Sequence, residues 1–255
     1  MVPDTMTNGS APRWRVHFTL TSKGGVGKSH VSICLVQREM ARGRPIKCYD
    51  GDAATPTLCE FPALHAVRLD MMGDGEKTID ASQFDTFAEA ALTAQSDVLL
   101  DSGASSYWAL THYMLENDVF EQIHAAGKEV VVHSIVVGDG ASLHTTLNDL
   151  NDLAKQLPDF VTIIVWLNEN FGVIRADGKL FEDMNVYIQN KHRIAGIVHL
   201  PPRTPQTFGA DVRKMISNRQ TFAEAIQSPE FPIMAKSRLA RVQSEINAQL
   251  DVVLP

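Results

Sequence analysis

The chain has 255 residues, 44% of them apolar and 21% charged, with 23 basic and 30 acidic side chains and a net charge of −7. That is enough apolar material for a full core in one α/β domain, and the wrong balance for a globally basic protein that coats nucleic acid. No apolar run reaches the roughly 18 residues of a spanning helix, and the polar start lacks a cationic segment followed by an apolar one, so the expected location is the cytoplasm.

Residues 1–12 read as a flexible tail and residues 13–255 as a single domain. Strand-like runs alternate with helix-length segments from there on. WRVHFTLT (Trp14 to Thr21) is a first strand, and a helix follows from about Lys28 to Arg42, closed by Gly43. PIKCYD (Pro45 to Asp50) is a second strand, and residues 51–80 are rich in Gly, Pro and Asp. Ser82 caps an expected helix through Ala94, ahead of a third strand, DVLLD (Asp97 to Asp101). One helix is expected over Tyr107 to Ala126, then the β-branched strand EVVVHSIVV (Glu129 to Val137), which reads as buried on both faces.

Leu143, Leu147, Leu150, Leu153 and Leu157 mark a further helix, and FVTIIVWLN (Phe160 to Asn168) the next strand. A helix over Leu180 to Gln189 and the strand IAGIVHL (Ile194 to Leu200), stopped by Pro201 and Pro202, complete the alternation. Short helices fill the remainder. This pattern predicts an α/β fold, a single doubly wound and mostly parallel sheet with helices on both faces.

TSKGGVGKS lies between the first strand and the first helix, the setting that a phosphate-binding loop requires. Gly24, Gly25 and Gly27 let the backbone turn tightly and bring its amides, including that of Val26, against phosphate oxygens. The helix start at Lys28, Ser29 and His30 adds unpaired donors and a favourable dipole. Lys28 is expected to reach the β- and γ-phosphates, and the Ser29 hydroxyl to complete a magnesium shell. The chain therefore reads as a P-loop ATPase that takes ATP and Mg2+. Asp50 and Asp52, at i and i+2 after the second strand, are placed to position magnesium or an attacking water. Asp101 at the end of DVLLD has the form of a carboxylate that holds magnesium, and Ser102, Gly103 and Ala104 would follow it along the γ-phosphate.

Ser22 stands where the general motif has its first glycine, and Lys23 adds a second lysine. With these two residues the loop resembles the deviant Walker A of the ParA/MinD family of ATPases. The resemblance implies that Lys23 crosses a dimer interface to the partner's ATP, that Asp52 orients the hydrolytic water, and that Asn168, Pro201 and Pro202 meet the adenine. It thus implies a slow molecular switch that forms an ATP-dependent homodimer. A narrower resemblance, to ATPases of that family encoded in conjugative-plasmid transfer regions, is carried by DVLLDSGASSYWALTHYM, EVVVHSIVVGDGASLHT, VTIIVWLN with NFG, and DGKLFEDM. It implies partners among plasmid transfer proteins or DNA. A scaffold of the transfer machinery and a partition ATPase that grips DNA through Arg203, Arg213, Lys214 and Arg219 remain as alternatives.

Cys34, Cys48 and Cys59 lack metal-ligand spacing and read as buried thiols. Ser105 and His112 belong to the transfer-ATPase stretches without an assigned chemistry. His133 and His199, in strands, read as core residues, and Trp108 and Trp166 as packing. Leu239, Val242, Ile246, Leu250 and Val253 form an apolar side on a C-terminal helix. It lacks large aromatics and carries Glu245 and Asp251, so core or dimer packing is expected over a membrane surface.

Overall fold

The computed structural model describes residues 13–71, 80–138 and 140–255; the tail expected over residues 1–12 lies outside the described residues. In chain order the elements are β1 (Arg15–Thr19), α1 (Lys28–Ala41), β2 (Ile46–Gly51), β3 (Val67–Arg68), α2 (Phe84–Thr93), β4 (Asp97–Ser102), α3 (Tyr107–Glu116), α4 (Val119–Ala125) and β5 (Glu129–Val137). Then come α5 (Gly140–Gln156), β6 (Thr162–Asn168), a hairpin of β7 (Arg175–Ala176) and β8 (Lys179–Leu180), α6 (Asn185–Asn190), β9 (Ile194–Leu200), α7 (Phe208–Ser217), α8 (Phe222–Gln227) and α9 (Ile233–Val253).

Seven strands form one sheet in the order β3-β2-β4-β1-β5-β6-β9, and all of its pairings are parallel. Strand alternation divides the core in two. Val16, Phe18, Leu100 and Val132 face α2 to α5, where Phe87, Leu110, Phe120 and Leu150 are fully buried. Leu99, Val131, Ile164 and Trp166 face the opposite layer, with Leu35 of α1 and Leu239 and Leu250 of α9. The expected doubly wound sheet is what forms. Leu239, Val242, Ile246 and Leu250 are spent on that core.

Several local expectations change. The helix over Tyr107 to Ala126 breaks into α3 and α4 because Asp118 takes a left-handed conformation with φ 51°. Asp80, not Ser82, accepts the Ser82 amide at 3.0 Å ahead of α2. The helix over Leu180 to Gln189 begins only at Asn185, after the hairpin. His199 and Trp108 are exposed, the latter by 60%, whereas His133 and Trp166 are buried as expected. Cys34 and Cys48 are buried free thiols, and Cys59 is half-buried.

The register decides where chemistry collects. Thr19 of β1 lies beside Asp101 of β4, and Asp50 of β2 lies on the far side of Asp101. This polar row sits at the carboxyl ends of the central strands, where parallel α/β sheets bind ligands.

Beneath that row runs a buried chain of rings. Trp166 Nε1–H donates to His133 Nδ1 at 3.0 Å, and His133 Nε2 lies 3.0 Å from His17 Nδ1. The indole can only donate, so the bonding places the His133 proton on Nε2 and leaves Nδ1 of His17 as the acceptor. Burial pushes His17 down to about 3 and His133 well below the ordinary imidazole range. Folded pKa values below the unfolded value mean that the unfolded chain takes up these protons, so stability falls as pH drops from about 6.5 toward 3. For each such imidazole the loss between pH 7.5 and pH 5 is about 2 kcal/mol. His17→Leu should therefore reduce the acid-induced loss of unfolding free energy in urea titrations by about that amount. An unaltered pH dependence would contradict this reading.

Candidate nucleotide site

The loop between β1 and α1 is shaped by glycines in left-handed backbone: Gly25 has φ 74° and Gly27 φ 100°. Gly27 is also crowded, since a Cβ there would meet Asn168 Nδ2 at 2.8 Å. The Gly27 carbonyl accepts the Val31 amide at 3.0 Å, which starts α1 at Lys28. Val26 turns its side chain into the core and is 3% exposed.

Lys28 folds back under the loop, its Nζ donating to the Lys23 carbonyl at 2.9 Å. Burial lowers its pKa, with the carboxylates of Asp101, Asp52 and Asp149 acting in opposition. Its cation is thus already in the cradle, on an acceptor weaker than a phosphate oxygen. The Lys23 side chain makes no hydrogen bond or ion pair among the described residues.

Asp101 lies below. Its Oδ1 accepts from Thr19 Oγ1 at 2.8 Å and from Ser32 Oγ at 2.9 Å. Its Oδ2 is buried and has no hydrogen-bond partner among the described residues. Burial pushes this carboxyl up to about 6, against the nearby hydroxyls of Ser29, Thr19 and Ser32. A buried carboxylate oxygen without a donor, beside the Ser29 hydroxyl, suits a hydrated divalent cation. Among the described residues no group of three or more His, Cys, Asp or Glu could cage a metal. Mg2+ at such sites characteristically uses few protein ligands and completes its shell with water and phosphate.

The two aspartates after β2 separate. Asp50 is fully buried, its Oδ1 accepting from the Asp52 amide at 3.1 Å and its Oδ2 from the Cys59 amide at 3.0 Å. Contrary to the expected metal role, Asp50 is committed to the loop backbone. Asp52 reaches the surface of the site, with Oδ1 accepting from the amides of Ala54 and Thr55 at 2.9 and 3.0 Å.

Two cavities meet at the loop. One, of about 570 Å³, is walled by Gly24, Lys28, Ser29, Asp52, Thr55 and Ser105. The other, of about 630 Å³, is walled by Asn168, Phe171, Pro201, Pro202, Arg213 and Ile216. Gly27 and His30 line both. The glycine loop is thus a wall common to both cavities. Asn168, on the wall of the larger cavity, also braces the loop: its Nδ2 donates to the Val26 carbonyl at 2.9 Å and its Oδ1 accepts from Asn170 Nδ2 at 2.9 Å, and the second Nδ2 hydrogen is used by neither bond. His30 is held neutral, burial pushing it down to about 4, with Nε2 3.8 Å from Cys34 Sγ.

Sequence reasoning missed Asp149. From α5 it accepts the Ser22 amide at 2.8 Å and the Ser22 hydroxyl at 2.7 Å, fixing the start of the loop. Nothing in LNDLNDL distinguishes this aspartate from its solvated neighbours. The basic residues considered for DNA each have a partner in the chain. Arg203 pairs with Glu245 at 2.7 Å and Arg219 with Glu60 at 2.6 Å. Arg213 donates to Pro205 O and Lys214 to Glu230 O, each at 2.7 Å. His112 pairs with Glu116 on the exposed face of α3.

No family model matches the chain. Two sequences named Protein TraL, both from Escherichia coli, are 36% identical to it over 237 residues, covering 93% of this chain and 97% of theirs. Among solved structures, the MinC:MinD cell division protein complex of Aquifex aeolicus matches with a TM-score of 0.51 at 13% identity, covering 92% of this chain and 96% of that one. A ParA family ATPase from Chlorobium tepidum TLS gives a TM-score of 0.51 at 12% identity, over 91% and 98% of the two chains. The septum site-determining protein MinD of Pyrococcus horikoshii OT3, complexed with Mg-ADP, gives 0.50 at 15% identity, over 91% and 95%. These likenesses establish the fold.

Because hydrogen bonds to a charged group contribute about 1.5–3 kcal/mol, Asp149→Ala should weaken Mg-ATP binding roughly ten-fold or more in calorimetry while the chain stays folded. Unchanged affinity would show that Ser22 needs no anchor.

Proposed function

The chain belongs to the TraL family, and from that premise we propose that it is an ATP-binding and slowly hydrolysing molecular switch that forms an ATP-sandwich homodimer and serves conjugative plasmid DNA transfer. One observation carries the reading. The glycine loop stands between two cavities that share Gly27 and His30 as walls, above a buried carboxylate with one oxygen unsatisfied.

Lys28 exchanges the Lys23 carbonyl for β- and γ-phosphate oxygens, replacing a neutral acceptor with an anionic one. Ser29 and Asp101 would hold Mg2+, which supplies charge to offset that of the phosphates. Asp52 orients the attacking water from the wall of the phosphate cavity. Lys23, with no partner of its own among the described residues, extends toward the phosphates of a second subunit. The triphosphate favours the dimer because only it offers that lysine a γ-phosphate to hold.

The transfer role is supported by the family and by the resemblance of four long segments to transfer ATPases. Among the described residues no helix is long and apolar enough to cross a membrane.

Phosphate-release and light-scattering measurements test the reading together. The wild type should hydrolyse ATP slowly, and Lys28→Ala should lose ATP affinity. Asp52→Ala should bind ATP, turn it over at a much reduced but measurable rate, and double its mass with Mg-ATP but not with Mg-ADP. Lys23→Ala should stay monomeric with either nucleotide. Undiminished ATP affinity in Lys28→Ala contradicts the cradle, and a monomer under every condition contradicts the dimer.

A further inference from the structure

One buried hydroxyl joins the two walls of the phosphate cavity. Ser106, at the start of α3, is 0% exposed. Its Oγ accepts the Gly103 amide at 3.0 Å and donates to the Gly51 carbonyl at 2.9 Å. A hydroxyl has a single proton, so the Gly103 carbonyl, also 3.2 Å from this Oγ, is the weaker claimant. Gly51 immediately precedes Asp52, and Gly103 opens the turn that follows Asp101. The two walls also touch directly. A Cβ on Gly103 would lie 2.8 Å from Asp52 Cα and 2.9 Å from its Cγ and Oδ1. Beyond Gly103, Ala104 and Ser105 line the cavity opposite Asp52 and Thr55.

We infer that Ser106 is a positioning residue: its hydroxyl sets the spacing between Asp52 and the turn 103–105, so that engagement of the turn by a terminal phosphate is passed to the water-orienting carboxylate. The inference rests on the proposed ATPase reading. Ser106 itself does not line the cavity. Removing its Oγ leaves the β2–β4 pairing intact through Gly51 and Ser102. It leaves the Gly103 amide only its longer bond to the Gly51 carbonyl, at 3.3 Å. The sheet and the phosphate loop should therefore persist while the tip of the site loosens. Misplacing a catalytic group by about 1 Å costs on the order of 100-fold in rate.

The test compares the wild type, Ser106→Ala, Asp52→Ala and the double variant, measuring kcat and KM by phosphate release and ADP affinity by fluorescence titration. Ser106→Ala should lose roughly 10- to 100-fold in kcat, with KM and ADP affinity within about three-fold of wild type. In the Asp52→Ala background the same change should cost nothing further, because both act through one carboxylate. Wild-type kcat in Ser106→Ala, losses that multiply in the double variant, or an equal loss of ADP affinity would each overturn the inference. If Ser106→Ala does not fold, Ser106→Cys takes its place. Reduced kcat with intact ADP binding supports the inference, and unchanged kcat refutes it. A wild type without ATP turnover removes the underlying reading instead, and is distinguished by its own missing rate.

Discussion

The site is organised around a buried carboxylate that the protein satisfies only halfway. Asp101 is 1% exposed, and two hydroxyls, from Thr19 and Ser32, converge on one of its oxygens. The other oxygen accepts no well-formed hydrogen bond among the described residues, although the Ser29 hydroxyl lies close enough to favour the ionised carboxylate. Leaving such an atom unpaired costs about 1–3 kcal/mol, or more for a charged group, and among the buried polar atoms without a hydrogen-bond partner, Gln37 Nε2 and Ser134 Oγ included, this one lies beneath the glycine loop. Around it the neighbours are fixed by register: Thr19 and Asp50 flank it in the sheet, and α1 sets Ser29 and Ser32 above it. The parallel order of β2, β4, β1 and β5 thus builds the polar floor beneath the glycine loop before any loop contributes.

The loop above that floor is held from three directions. Asp149 of α5 holds its start at Ser22, Asn168 of β6 holds Val26, and Lys28 closes it on the Lys23 carbonyl. Two of these braces come from the β5–β6 side of the sheet, and the third from the helix that the loop itself opens. The opposite wall is different. Asp52 lies on a turn bonded to the amides of Ala54 and Thr55, next to the Gly103 turn.

The strand–loop–helix unit was legible because glycine spacing, an apolar strand and a lysine at the helix start all describe local backbone. The parallel sheet was legible for a similar reason. EVVVHSIVV and VTIIVWLN are apolar on both faces, and such strands have no exposed side. What stayed hidden depends on long-range contacts. Asp149 looks like any helix-surface aspartate until α5 is packed beside β5 and the loop. Asp50 and Asp52 have equal claims in YDGD, and only the path of the following loop, whose Cys59 amide returns to Asp50, separates them. Asn168 was placed correctly at the strand tip, yet its bond to Val26 spans 142 residues. The break at Asp118 is hidden because Leu115, Val119 and Ile123 keep helical spacing across it, whereas the hairpin ahead of α6 carries a local signal in its Asp177–Gly178 turn.

The role of the unpaired oxygen of Asp101 is tested most directly by titration calorimetry of ATP with and without Mg2+, on the wild type and on Asp101→Asn. If Asp101 is the seat of the metal, Mg2+ strengthens ATP binding in the wild type and this gain is lost in Asp101→Asn, whose fold is retained. An Asp101→Asn variant with the full magnesium dependence of the wild type would contradict the account, and the unsatisfied oxygen would then need another explanation.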